Sequence, residues 1–305
     1  MIGAAILQGL RRQSYTHILN GTMLEPNLTD ASEVDSFFSR AKPDYVFMAA
    51  GKSAGIFGNQ KHPATLMLDN LLVESHVIHS AHQHGVKKLL YLASSCCYPK
   101  HCLQPMRVES LLTGALEPTS EGYATAKIAG IKLCQAFRQE HGDNFIVGIV
   151  GDVFGPEEHL DVEDMHVVPA LIRRMYEAKL RARPFVEIWG TGKPRREFMF
   201  AEDVADACIF VMREYGGREP INLGGGLDLS IKELAELIKE VVEYRGELRF
   251  NSTKPDGMPL KILDSTELRK LGWQAKIPVR SALAATYKWI VHMEEQQTSV
   301  SAAVR

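Results

Sequence analysis

Along the first half of the chain, short runs rich in β-branched and aromatic residues alternate with longer stretches in which apolar residues recur every three or four positions. The runs predict strands over 16–19, 44–50, 87–94 and 145–150, and the stretches between them predict helices at about 31–41, 63–84 and 122–141. Strands alternating with helices are βαβ units, and such units fold onto a parallel sheet. The segment Tyr45-Val46-Phe47-Met48-Ala49-Ala50 is apolar without alternation, as a strand covered by helices on both faces would be. The first half therefore predicts an α/β fold with a doubly wound, Rossmann-like parallel sheet.

After Gly155-Pro156 the pattern changes. A loop with Glu157, Glu158, Asp161, Glu163 and Asp164 leads into a helix at about 168–179, a strand over 185–189, and a further strand over 220–223 that ends in Gly224-Gly225-Gly226. An amphipathic helix over 230–244 starts at Ser230, a plausible N-cap with Glu233 at the capping-box position. A helix over 279–294 and a polar tail after Gln296, expected to fray, complete the chain. The division this predicts is a dinucleotide-binding domain over 1–155, also receiving segments near 196–226, and a smaller α+β substrate-binding domain from 156–195 and 227–296, with 297–305 as a tail.

A nucleotide-binding sheet of this kind opens with a strand, a glycine-rich turn and a helix whose amino terminus holds pyrophosphate. Met1-Ile2-Gly3-Ala4-Ala5-Ile6-Leu7 reads as the end of such a turn running into its helix, with the first strand apparently missing. The favoured expectation is a native start upstream; the alternative is loss of part of the cofactor cradle.

Composition narrows the function classes. The 305 residues carry 35 Lys+Arg against 37 Asp+Glu, so the chain lacks the basic footprint of a nucleic-acid partner. No apolar run approaches the roughly 18–20 residues that span a bilayer, which argues against a membrane partner. Five cysteines, Cys96, Cys97, Cys102, Cys134 and Cys208, are too few for a disulfide scaffold and do not pair as zinc ligands. No metal is expected, and a reducing cytoplasm fits best.

Chemistry concentrates at two places. Tyr123 and Lys127 lie four apart near the start of a helix, hence on one face. A neighbouring ammonium favours phenolate, which would lower the phenol's pKa and let Tyr123 exchange a proton with a carbonyl or alcohol oxygen. The strand over 87–94 ends in Ser94-Ser95-Cys96-Cys97-Tyr98-Pro99, where a parallel sheet collects its ligands, so a Ser94–Tyr123–Lys127 set is geometrically possible.

The sequence resembles the extended short-chain dehydrogenase/reductases, in particular their GDP-L-fucose synthase branch. The resemblance runs from Gly3 to about Glu294. It rests on Ser94 to Lys100, Leu116-Glu117-Pro118-Thr119, Tyr123 to Lys127 with the following Ile128 to Cys134, His166 to Arg174, Trp189-Gly190-Thr191-Gly192 with Arg195-Arg196-Glu197-Phe198, and Lys254 to Pro259. It implies C3/C5 epimerisation of GDP-4-keto-6-deoxy-D-mannose followed by NADPH-dependent reduction at C4. The implied epimerisation pair is Cys96 and His166; Tyr123 would protonate or polarise the C4 oxygen, with Lys127 tuning it and Ser94 holding the oxygen. Cofactor contacts are implied for Gly3, Leu92, Ala93, Ser94, Ser95, Lys127, Val150, Gly151, Asp152, Val153 and His166, with NADP as cofactor and NAD as the alternative. Arg174, Trp189, Arg196, Asp256 and Lys261 would face the GDP-sugar, and a homodimer pairing through the helix over 122–141 is implied.

Three positions depart from the pattern of that branch. The first two glycines of its GxxGxxG are absent. Asn20-Gly21-Thr22-Met23 offers no arginine for a 2′-phosphate. Asp152 stands where an asparagine is usual, and a carboxylate there would add charge or need a partner of its own. Two rival readings follow: another nucleotide-sugar epimerase or dehydratase, against which Ser94-Ser95-Cys96 stands in place of the Thr-Asp-Glu of the dehydratases, or a catalytically impaired nucleotide-sugar-binding relative.

Overall fold

The structure is a computed structural model that describes residues 1–19, 26–158, 165–254, 256 and 258–303, with side chains described as far as 296. Asn20 to Met23, Asp161, Glu163 and Asp164 lie outside the described residues.

The first half contains α1 (Ile2–Arg12), α2 (Ala31–Ala41), β1 (Tyr45–Met48), α3 (Ile56–Lys61), α4 (Pro63–Gln83), β2 (Lys88–Ser94), α5 (Glu121–His141) and β3 (Phe145–Val150). The second half contains β4 (Asp152–Phe154), α6 (Val167–Leu180), β5 (Phe185–Trp189), β6 (Arg195–Phe200), α7 (Ala201–Glu214), β7 (Ile221–Leu223) and β8 (Leu227–Ser230). It ends with α8 (Ile231–Val242), β9 (Glu247–Asn251), β10 (Leu260–Lys261), α9 (Thr266–Lys270) and α10 (Val279–Ala303).

The principal sheet is parallel, in the order β1-β2-β3-β7. Along β2 the residues divide by the two-residue period of a strand. Leu89, Tyr91 and Ala93 pack with Val77 and Ile78 of α4 and Ile131 and Cys134 of α5. Leu90 and Leu92 pack on the opposite face with Ala5 and Ile6 of α1 and Val204 and Cys208 of α7. Helices thus cover both faces, which is why β2 and β3 are buried along nearly their whole length.

β1 departs from the expectation of a fully covered strand. Tyr45 is 57% exposed, and among the described residues β1 pairs with β2 alone. Residues 16–19 form no strand. In the doubly wound order a strand there would reach β1 only through an intervening one, and none of the described residues supplies it. A strand without a ladder leaves its backbone groups unpaired, so local β-propensity alone does not hold one in place.

A second sheet sets β10, β6 and β4 side by side in parallel, with β8 antiparallel to β6, and β5 pairs with β9. Its core joins Ile172 and Met175 of α6, Ile238 and Val242 of α8, and Leu283 and Ile290 of α10. The capping box of α8 forms as expected: the Glu233 amide donates to Ser230 Oγ (3.1 Å) and the Ser230 amide to the Glu233 carboxylate (2.7 Å). Past Gln296, where the polar tail is expected to begin, α10 continues as helix through Ala303, a segment free of glycine and proline.

One buried charge ties a strand to a helix end. Lys88 Nζ donates to the carbonyl oxygens of Met212 and Tyr215 (2.6 Å each) and of Val211 (3.3 Å), closing the last turn of α7 with a cation where the helix dipole favours one. Lys88→Met is expected to cost about 2–3 kcal/mol, since it leaves charge-assisted hydrogen bonds unmade. Differential scanning calorimetry would read this as a thermal midpoint lower by about 5 °C, with the circular dichroism of the folded state unchanged.

Candidate active site

The carboxyl end of β2 turns directly into a short 3₁₀ helix, Ser95–Cys97, and the Cys96 amide donates to Ser94 Oγ (3.2 Å). This turn sets the Ser94 hydroxyl beside the Tyr123 phenol at the head of α5, where it favours the ionised phenol. One helical turn further on, Lys127 Nζ sits 6.0 Å from the centre of the Tyr123 ring. The three residues expected to act together are therefore brought together.

Their electrostatics differ from the expectation. Burial raises the Tyr123 pKa most strongly, the adjoining thiols of Cys96 and Cys97 add to this, and the Ser94 hydroxyl offsets it in part. The phenol is held well above its ordinary value rather than drawn down by Lys127. The ammonium is itself paired with a carboxylate: Glu74 Oε1 lies 2.9 Å from Lys127 Nζ, with both side chains buried. The phenol is thus kept in the form that donates a proton.

A second cluster is assembled from three adjacent parallel strands. Asp152 opens β4, Arg196 lies in β6 and Lys261 ends β10. Lys261 Nζ donates to Asp152 Oδ1 at 3.0 Å and lies 3.8 Å from Cys96 Sγ, and Arg196 Nε is 3.9 Å from Asp152 Oδ2. The unexpected carboxylate has found its partner. Burial alone would raise the Asp152 pKa, but Lys261, Arg196 and His166 together hold it below the ordinary carboxylate value. Burial likewise works against the Lys261 charge, yet Asp152 and Cys96 outweigh it and hold the ammonium above its usual pKa.

His166 occupies the N-cap position of α6, without a side-chain cap to the helix, and reaches the electrostatic neighbourhood of Asp152. Its Nε2 is 3.9 Å from Glu158 Oε1, a carboxyl that burial pushes up to about 7. Cys96 thus adjoins the Asp152–Lys261 pair through Lys261, and the His166 charge is felt at Asp152. Val150, Gly151 and Val153 flank Asp152 where β3 passes into β4.

Other expected residues are placed as follows. Trp189, at the end of β5, is 56% exposed, with the Arg174 guanidinium 5.8 Å and the Lys254 ammonium 5.2 Å from its ring centre, an aromatic surface already flanked by cations. Asp256 accepts hydrogen bonds from the Thr191 amide (2.6 Å) and hydroxyl (2.8 Å) and so fastens the turn between β5 and β6. Gly190 in that turn has φ +82°, and a Cβ there would lie 2.3 Å from Asp256 Oδ1.

The fit to a dinucleotide is clearest on the nicotinamide side. Gly51, just after β1, has φ +148°, and a Cβ there would fall 2.7 Å from Asn70 Oδ1 and 3.3 Å from Lys127 Nζ, filling the space beside the ammonium. Ser95 contributes a buried hydroxyl without a hydrogen-bond partner, next to the buried Leu92 and Ala93 of β2. Gly3, at the head of α1, has room for a side chain, its nearest neighbour being Ala49 Cβ at 3.8 Å.

Sequence reasoning passed over Asn70 and Glu74. Both lie on the buried stripe of α4 with Leu66, Val73, Val77 and Ile78. Two polar residues four apart in an otherwise apolar helical stripe are a signal that could have found them.

Residues 1–224 match the NAD dependent epimerase/dehydratase family. The chain is 48% identical to GDP-L-fucose synthase 1 of Arabidopsis thaliana, covering 95% of this chain and 90% of that protein. The chain belongs to that family. It is also 41% identical to GDP-L-fucose synthase of Escherichia coli (strain K12), over 97% of this chain and 95% of that one. The crystal structure of a GDP-L-fucose synthetase from Naegleria fowleri bound to NADP superposes with a TM-score of 0.86 at 25% identity, covering 96% and 92% of the two chains. The stretch that matches the epimerase/dehydratase family includes Ser94, Cys96, Tyr123, Lys127, Asp152 and His166, whereas Lys254, Asp256 and Lys261 lie beyond it.

Proposed function

We propose that this protein converts GDP-4-keto-6-deoxy-D-mannose to GDP-L-fucose, inverting C3 and C5 and then reducing C4 with NADPH. The relatives named GDP-L-fucose synthase support the reading, and so does the site. The observation that carries it is the adjacency of two functions on one turn: Ser94, beside the Tyr123 phenol, is two residues from Cys96, whose thiol meets Lys261.

Hydrogens on C3 and C5 flank the C4 ketone and are acidic because the carbanion delocalises into an enolate. Inversion needs one group to remove a proton and another to return one from the opposite face. Cys96 and His166 take these two roles, and the Asp152–Lys261 pair beside them sets the local charge. Bound NADPH supplies the hydride for C4. Tyr123 passes its phenolic proton to the C4 oxygen, Ser94 orients that oxygen, and the Lys127 ammonium stabilises the phenolate until solvent returns the proton. Arg174, Arg196 and Trp189 suit the diphosphate and base of the GDP moiety through fork-shaped donors and a stacking surface. Asp256 acts on that side by holding the Thr191 turn.

The same proposal includes the domain division at about residue 155, pairing of two copies through α5, and a cytoplasmic setting. Among the described residues no helix is long and apolar enough to cross a membrane.

The test is incubation with GDP-4-keto-6-deoxymannose and NADPH in D₂O. Cofactor oxidation with deuterium entering at C3 and C5 is the expected result. Absence of both overturns the proposal, and activity on UDP-glucose or GDP-mannose in place of the keto sugar would assign the site to another nucleotide-sugar reaction.

A further inference from the structure

Glu74 projects from α4 into the space between β2 and α5 and is 1% exposed; Lys127 is 5% exposed. Its Oε1 is 2.9 Å from Lys127 Nζ, and the Tyr91 phenol donates to the Lys127 carbonyl oxygen at 3.3 Å. The helix backbone is shaped to admit this arrangement. A Cβ on Gly130 would come within 2.4 Å of the Tyr91 hydroxyl and 2.9 Å of Glu74 Oε2. A buried carboxylate is costly unless paired, and this one is paired with the ammonium next to the Tyr123 phenol.

We infer that Glu74 is a positioning residue for C4 reduction: it is the counter-ion that keeps the Tyr123–Lys127 dyad doubly protonated, phenol and ammonium together, across the working pH range. The inference rests on the proposed function and extends it to a residue behind the site that touches neither substrate nor cofactor.

Glu74 is the carboxylate in contact with the Lys127 end of the dyad, whereas at the Tyr123 end the Cys96 and Cys97 thiols weigh more than Glu74. From β2 the dyad is faced by Tyr91 and Ser94, from the following turn by Cys96 and Cys97, from α4 by Asn70 and from α5 by Cys134. Asn70 and Ser94 do not ionise. Burial pushes the Cys97 thiol up to about 12, and it raises Tyr91 and Cys134 above their ordinary values as well, so these groups stay neutral where the reaction runs. Ketone reduction consumes a proton from Tyr123 and needs the Lys127 charge to stabilise what remains. Taking away the Glu74 charge makes it easier for the dyad to lose its first proton, whether that proton comes from the phenol or the ammonium. Either loss stops reduction, so the sign of the effect does not depend on which group titrates first.

The experiment is the pH profile of NADPH oxidation with the 4-keto sugar, alongside deuterium wash-in at C3 and C5, for the wild type, Glu74→Gln and Glu74→Asp. In Glu74→Gln the alkaline limb of reduction is expected to move to lower pH by about 1–2 units, the effect of one opposite charge a few ångströms away. Wash-in at neutral pH stays within about twofold, because Cys96 and His166 carry it. Glu74→Asp retains the charge but withdraws it by one methylene, so its limb falls between the other two; it also decides the question if the glutamine variant does not fold. An unmoved limb in the folded variants overturns the inference, as does a uniform loss of both reactions at every pH, which marks a purely structural residue. A wild type that neither oxidises NADPH nor exchanges deuterium overturns the proposed function instead, and the two failures are thereby distinct.

Discussion

Tyr123→Phe is expected to slow NADPH oxidation with the 4-keto sugar by about 10²–10⁴-fold, the range over which a positioned general acid contributes. The substitution removes one oxygen from a ring that is otherwise packed, so the fold should persist. The lost atom is the one that lies beside Ser94 and carries the proton destined for the C4 oxygen. Deuterium wash-in at C3 and C5 should remain within a few-fold of wild type, because Cys96 and His166 need the ketone but not the phenolic proton. Stopped-flow absorbance for the cofactor and NMR for the sugar measure the two halves separately. Equal loss of both would mean that Tyr123 holds substrate rather than donating a proton, and no loss in either would remove it from the mechanism.

Cys96→Ser carries the second large effect, on the other half of the reaction. A thiol ionises near pH 8.5 and can trade a proton with a carbon acid, whereas an alcohol does not ionise usefully in that range. Epimerised product is expected to form about 10²–10⁴-fold more slowly, because inversion at C3 and at C5 each needs both members of the pair. Repeating the measurement with His166→Asn assigns the partner: loss at the opposite stage of exchange identifies which group removes the proton and which returns it. Unchanged exchange at both carbons in Cys96→Ser would sink the pairing. The setting of this cysteine argues for the role, since Lys261 is 3.8 Å from the sulfur and is itself held charged by Asp152.

Asp152 shows how a residue can look out of place in sequence and be accommodated in space. The sequence presents a carboxylate where an amide is usual, and the electrostatic cost of burying it counted toward a decayed site. In the structure Lys261 and Arg196 arrive on the neighbouring strands and stabilise the charge. Glu74 reverses the lesson. It attracted no notice in a helix otherwise read for its apolar stripe, yet it meets the lysine that the Tyr-x-x-x-Lys spacing singled out.

What the sequence determined by itself is what depends on near neighbours along the chain. The period of two in β2, the period of 3.6 in α4 and α5, the Ser230–Glu233 cap and the placing of Tyr123 and Lys127 on one helix face all follow from local geometry. The tertiary structure alone decided the charges and the edges. Lys261 reaches Asp152 because β10, β6 and β4 lie side by side, Glu74 reaches Lys127 because α4 packs on α5, and β1 is exposed because only β2 pairs with it. Hydrophobic periodicity says which face of an element is buried but not which element will cover it. The pairing of buried charges, and with it the protonation state of the site, is therefore fixed only when strands and helices from distant parts of the chain come together.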